Sequence, residues 1–224
     1  MQQHLLIDGD DTLWENNIYF ERAIETFMDF LDHSSLKTEE VRAVLDEIEM
    51  TMGYGSLNFA KSLQETYRQL VERDVRDEDL ERVRSFGEQI MHHPMQVMDG
   101  VEETLAYLAP RHRLILLTKG NQDEQRLKID SSGLGVYFEH TIVVAEKDIA
   151  TYNQLIHELE LDVPQTWMIG NSPKSDINPA LDAGLHAVLV PHPHTWVLEH
   201  QDLREPGTRR FLTVERFADL RLHF

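Results

Sequence analysis

The sequence predicts an α/β fold, in which a parallel sheet with helices on both faces is interrupted by an all-helical insertion. Three observations predict it. Residues 1–15 and about 98–224 alternate short apolar runs with helical patterns, as right-handed crossovers between parallel strands require. Residues 16–97 show helical spacing of apolar residues with no strand between them. Four of the apolar runs also end in a polar, chemically useful residue, and strands of an open parallel sheet bring their carboxyl ends to one crevice.

The first strand is His4–Ile7, which runs straight into Asp8-Gly9-Asp10-Asp11-Thr12-Leu13-Trp14. Alternate residues of an extended chain share a side, so Asp8 and Asp10 are expected to project together if extension persists past Ile7. Two carboxylates placed so make a seat for a hard divalent cation such as magnesium, which takes one or two protein carboxylates with water and phosphate oxygens. A solvated acidic turn closing the strand is the competing reading.

The insertion follows. Ile18, Ala23, Ile24, Phe27, Phe30 and Leu31 lie at helical spacing, then Val41, Val44, Leu45 and Ile48, then Leu57, Phe59, Leu63, Tyr67 and Leu70, then Leu80, Val83, Phe86 and Ile90. Four helices are expected, with hinges at residues 15–17 and 96–99. Between the second and third, Gly53-Tyr54-Gly55 breaks the pattern and presents Tyr54 on a flexible tip, either as a contact for a ligand or as a plain interhelical turn. The sheet then resumes with strands at residues 113–118, 141–145, 166–169 and 187–190 and a weaker one at 211–214. Helices at Val101–Leu108 and at residues 122–131, 149–159 and 178–183 connect them. This is a Rossmann-like core over 1–15 and 98–224 around a helical domain over 16–97.

Composition bounds the chemistry. With 224 residues and 41% hydrophobic content the chain can bury a core, as one large domain or two small ones. It has no cysteine, which excludes a disulfide framework, a thiolate metal site and a cysteine nucleophile, so any metal must be held by oxygen or histidine. A formal net charge of −19 argues against nucleic acid as a partner, because backbone binders need a basic face. No run approaches a membrane span and the N-terminus has no basic-then-apolar leader, so no membrane association and a cytoplasmic location are expected. The sequence is compatible with a monomer or a homodimer. The proline-spaced histidines of Pro191-His192-Pro193-His194 are expected in an exposed loop over the sheet edge.

The polar strand ends, taken in order, carry a resemblance. Asp8-x-Asp10-x-Thr12, then Thr118 after Leu114-Ile115-Leu116-Leu117, then Lys147, then Gly170-Asn171-Ser172 with Asp176 beyond, resemble the four motifs of the haloacid dehalogenase-like hydrolase superfamily, and within it the phosphatases. The likeness covers nearly the whole chain. It implies that the insertion is a helical cap and that the protein is a magnesium-dependent phosphatase acting on a small phosphorylated metabolite. Asp8 would attack phosphorus to form an aspartyl-phosphate, and Asp10 would protonate the leaving alcohol and then activate water. Thr118 would bind a phosphoryl oxygen and Lys147 would neutralise phosphate charge, with Lys119, Gly120 and, from the cap, Tyr54 as substrate contacts. Magnesium would be held by Asp8, the carbonyl of Asp10, and Asn171 or Asp176.

Taken singly, Thr118 could cap a helix, Lys147 could be a solvated lysine and residues 170–176 a capped turn. Their order and their place at strand ends favour the functional reading. The chain departs from the common pattern at three points. Asp11 stands where glycine is frequent, Asp148 follows Lys147 where proline is frequent, and Asn171 replaces an aspartate. An amide oxygen still ligates magnesium but contributes no charge. Two other functions use the same fold, a dehalogenase-type hydrolase and a catalytically weak binding or regulatory protein. Dehalogenases resembling this family lack the second carboxylate and need no magnesium, so Asp10 counts against the first.

Overall fold

The computed structural model describes residues 2–224. The chain divides into two compact units, one running up to Asn17 and resuming over Met95–Phe224, the other being Ile18–Pro94. The sequence set these divisions at residues 15/16 and 97/98.

The first unit holds a six-stranded sheet of β1 (His4–Ile7), β2 (Arg113–Lys119), β3 (His140–Val144), β4 (Thr166–Gly170), β5 (His186–Leu189) and β6 (Phe211–Thr213). Their order is β3-β2-β1-β4-β5-β6, and every pairing is parallel. The weak strand candidate at 211–214 is the edge strand β6. β1 lies inside the sheet, with Ile7 level with Leu116 of β2 and with Ile169 of β4. Chain direction across the sheet reverses between β1 and β4, the place where ligands of such sheets sit.

Alternation along the strands divides the core into two layers. Leu5, Ile7, Leu114, Leu116, Trp167 and Ile169 pack on one face against Val101, Leu105 and Leu108. Leu6, Ile115, Leu117 and Met168 pack on the other against Tyr152, Leu155 and Ala180. Both faces of each inner strand are buried, so these strands read as continuous apolar runs rather than alternating ones. The crossover helices of this unit are Val101–Leu108, Gln122–Ser132, Ile149–Glu158 and Asn178–Asp182.

The second unit is built on helices α1 (Asn17–Leu31), α2 (Thr38–Met52), α3 (Ser56–Leu70) and α4 (Asp77–Glu88); continuing this numbering, the crossover helices are α5 to α8. Ile24, Phe27, Leu45, Phe59, Leu63, Tyr67, Val83 and Phe86 form its core. Leu57, expected on that apolar face, is exposed, because it lies in the first turn of α3 on the outward side. Gly87 lies within α4 where an added Cβ would come 2.7 Å from the Cα of Ala60, so α3 and α4 touch backbone to backbone. Among the described residues no helix is long and apolar enough to cross a membrane.

Candidate active site

Strand β1 stops at Ile7 because the chain turns at once. The Gly9 carbonyl accepts the N–H groups of Thr12 at 3.2 Å and Leu13 at 2.8 Å, and the buried Trp14 ring folds back over Gly9. A Cβ at Gly9 would lie 2.6 Å from Trp14 Cζ2, so only glycine fits. Asp11 takes the left-handed conformation at φ 57°, which accounts for a position open to glycine or to a short acidic residue. Its carboxylate accepts the backbone N–H groups of Asn16 at 2.9 Å and Asn17 at 3.0 Å.

Beyond Ile7 the two carboxylates take different partners. Asp8 belongs to a buried group at the ends of β1, β3 and β4. Lys147, in the loop after β3, donates to Asp8 Oδ1 and, at 2.8 Å, to Asp176 Oδ1. Thr12 Oγ1 donates to Asp8 Oδ2 at 3.1 Å, and the Asn171 amide oxygen lies 3.5 Å from the same hydroxyl. Asn171 Nδ2 donates to Thr195 Oγ1 at 3.0 Å. Asp176 Oδ2 accepts the Ser172 N–H at 2.9 Å, and the Tyr152 hydroxyl supports the same turn from below through the Ser175 carbonyl at 3.0 Å.

Asp10 has a different set of partners. Its Oδ1 accepts from Trp14 Nε1 at 2.7 Å and its Oδ2 from Gln125 Nε2 at 2.8 Å, while Lys128 Nζ reaches both oxygens, at 3.0 and 2.8 Å. Thr118, at the end of β2, donates to Gln125 Oε1 at 3.1 Å and so joins this second set. Gln125 and Lys128, both from α6, did not stand out in the sequence.

Charge in the two sets is balanced differently. Burial works against the ionised form of Asp10, but the Lys128 ammonium and the hydrogen bonds from Lys128, Gln125 and Trp14 outweigh it and hold the carboxyl below its ordinary value. Around Asp8 two carboxylates share one ammonium. Burial first, and then the Asp176 charge, push Asp8 up to about 7 against the pull of Lys147. Burial likewise disfavours the Lys147 charge, yet Asp176 and Asp8 together raise its pKa above the ordinary lysine value. The group is one positive charge short, and it holds carboxylate and amide oxygens, which are ligands a hard divalent cation takes.

The remaining candidates are placed as follows. Lys119 Nζ donates to Ser175 Oγ at 2.8 Å and to Glu199 Oε1 at 2.6 Å, and Glu199 Oε2 accepts from Ser172 Oγ at 2.6 Å. Lys119 thus ties β2 to the Ser172–Asp176 turn through a buried glutamate that no sequence pattern marked. Gly120 takes φ 133° and donates its N–H to the Val144 carbonyl at 3.0 Å. Tyr54 belongs to the helical unit, in the turn between α2 and α3, where Asn58 Nδ2 donates to its carbonyl at 3.1 Å.

The histidine loop is exposed at Pro191 and Pro193 but not throughout. The His192 side chain is buried, with Nε2 3.3 Å from Glu15 Oε2 and Nδ1 3.6 Å from Asp11 Oδ1, and Asn17 Nδ2 fastens the loop through the His194 carbonyl at 2.7 Å. Ligand atoms of Asp11, Glu15 and His192 lie within 4.8 Å of one another. Asp11 already accepts two backbone N–H groups, whereas the buried Glu15 Oε2, 3.3 Å from His192 Nε2, makes no hydrogen bond.

Comparison with known proteins bears on the family and the fold. A family model for haloacid dehalogenase-like hydrolases matches residues 3–184. A haloacid dehalogenase-like family hydrolase from Xanthomonas campestris is 30% identical, with a TM-score of 0.83 over 99% of this chain and 94% of that one. The same fold appears at lower identity in a 2-haloacid dehalogenase from Pseudomonas syringae pv. Tomato (23%, TM-score 0.61, 99% and 97% of the two chains). It appears again in a predicted phosphoglycolate phosphatase from Haemophilus somnus (15%, TM-score 0.66, 100% and 98%). No curated protein matches the sequence.

Proposed function

The chain belongs to the haloacid dehalogenase-like hydrolases, and from that premise we propose that it is a magnesium-dependent phosphatase of small phosphorylated metabolites. The observation that carries this reading is the pair Asp8 and Asp10, each bonded to a different lysine, Lys147, which Asp8 shares with Asp176, and Lys128. One carboxylate is placed to be consumed as a nucleophile while the other stays available for proton transfer. A dehalogenase of this type has no use for the second.

The reaction proceeds in two displacements. An Asp8 oxygen forms a bond to phosphorus as the bond from phosphorus to the substrate oxygen breaks, and Asp10, having taken up a proton as the anionic substrate binds beside it, passes that proton to the leaving oxygen. A water then attacks the aspartyl-phosphate and gives its proton to Asp10, and the bond between phosphorus and the Asp8 oxygen breaks to free phosphate. Lys147 holds Asp8 in line and carries phosphoryl charge, and Thr118 offers a hydroxyl to a phosphoryl oxygen. Asp8, Asp176, Asn171 and the Asp10 carbonyl would hold magnesium, which when bound offsets repulsion between an anionic nucleophile and an anionic substrate. The helical unit, with Tyr54 between α2 and α3, is the cap that selects the substrate.

The test is release of inorganic phosphate from a panel of phosphorylated metabolites, with and without magnesium, by the natural chain and by Asp8→Asn. Magnesium-dependent release that falls at least about 10³-fold in the variant supports the reading. Absence of release from every substrate by the folded protein, or metal-independent halide release from a 2-haloacid, overturns it.

A further inference from the structure

We infer that Lys128 and Gln125 are positioning residues for the acid–base group Asp10, an inference that rests on the phosphatase reading above. Both come from one face of α6, at i and i+3. Lys128 Nζ bonds both Asp10 oxygens and also Asn16 Oδ1 at 2.7 Å, so one ammonium fixes the carboxylate to the segment that follows it. Gln125 adds a third contact and Trp14 a fourth, on the other oxygen. An aspartate side chain on a turn has two free torsions, and contacts from three residues leave it neither.

The orientation of Gln125 is itself fixed. Its Oε1 accepts the Thr118 hydroxyl, so Nε2 must face Asp10. Gly120 gives the amide room, since a Cβ there would come 3.2 Å from Gln125 Nε2. The Thr118 hydroxyl and the Asp10 carboxylate are thereby one connected array, which ties the end of β2 to the acid–base group. Lys128 has a second consequence. Each time Asp10 gives up its proton a carboxylate is left behind, and a charged partner is already in place to receive it.

The test compares the natural chain with Lys128→Met and Lys128→Arg on two monoesters, an alkyl phosphate, whose leaving oxygen needs a proton, and p-nitrophenyl phosphate, whose leaving group departs as the anion. The readout is kcat/KM, which ends at formation of the phosphoenzyme. Lys128→Met is expected to lower the alkyl phosphate value by about 10²-fold or more and the p-nitrophenyl value by less than about tenfold, and Lys128→Arg to restore most of the alkyl rate. Lys128→Gln takes the place of the methionine variant if that variant does not fold. Equal losses on the two esters, or no loss on either, overturn the inference.

A second readout needs no activity. The indole N–H of Trp14 donates to Asp10, and its 15N resonance, one of three from tryptophan, should shift in Lys128→Met and return in Lys128→Arg. An unmoved resonance also overturns the inference. Failure of the natural chain to hydrolyse either ester overturns the phosphatase reading and the acid–base role with it, whereas hydrolysis with equal losses or an unmoved indole overturns this inference alone.

Discussion

At Gly170 an added Cβ would lie 2.2 Å from Asp176 Oδ2, and no rotation of Asp176 relieves this while its Oδ1 stays on Lys147 and its Oδ2 on the Ser172 N–H. Gly170→Ala is therefore expected to displace Asp176, weaken magnesium binding at least about tenfold and slow phosphate release in step, as a magnesium titration by calorimetry would show. Unchanged affinity would mean that Asp176 takes no part in holding the ion. Asp8, Thr118, Lys147 and Asp176 were legible in the sequence because each follows an apolar run, and a strand end is a place the sequence marks. The separate partner sets of Asp8 and Asp10 were not, because alternation along a strand says which side a residue takes and nothing of what it meets there. Gln125 and Lys128 stayed hidden in Gln122–Ser132, a helix so polar that two more polar side chains carry no contrast. The one signal available was their i, i+3 spacing. Glu199 lies in a loop far from both sequence partners, and His192 had only prolines around it to read, which say nothing of the Asp11–Asn17 turn it packs on.

Helices and strands were easier to read than side-chain partnerships. The inner strands betray themselves by unbroken apolar runs, since helices cover both their faces, and even the three-residue β6 could be located from its apolar residues at an edge. Amphipathic spacing located all four helices of the second unit, because each buries one stripe against the others. Distance of approach between helices was beyond that kind of reading, and Gly87 is the case in point. In an isolated helix Gly→Ala is favourable by about 0.5–1 kcal/mol. Here the methyl would meet the Ala60 Cα and Cβ at 2.7 Å and its backbone N at 2.9 Å, none of which can swing aside. Gly87→Ala is expected to reverse the sign and cost about 1–3 kcal/mol, measured as a lower urea midpoint at unchanged slope. A rise in the midpoint would show that α3 and α4 can part at little cost.

Over the whole molecule the formal charge of −19 sets a background of self-repulsion that acts on the folded chain more than on the expanded one. Screening should relieve it, so raising sodium chloride from about 0.05 to about 0.5 M is expected to raise the unfolding temperature by a few degrees in scanning calorimetry. A fall would mean that surface ion pairs such as Arg84 with Glu88 outweigh the general repulsion. The position of β1 inside the sheet bears on a different moment in the life of the protein, its synthesis. Residues 4–7 find their neighbours at 113–116 and 166–169. A ribosome adding about 5–20 residues per second leaves the strand without its second neighbour for roughly 8–30 s. During that interval the helical unit, whose core lies wholly within Ile18–Pro94, is already complete in sequence. The strand that delivers Asp8 is thus made before every other strand of its sheet and waits longest for both its neighbours. Its four residues are fewer than the six or seven that an aggregating strand needs, so brevity protects the nascent chain where no neighbour yet can.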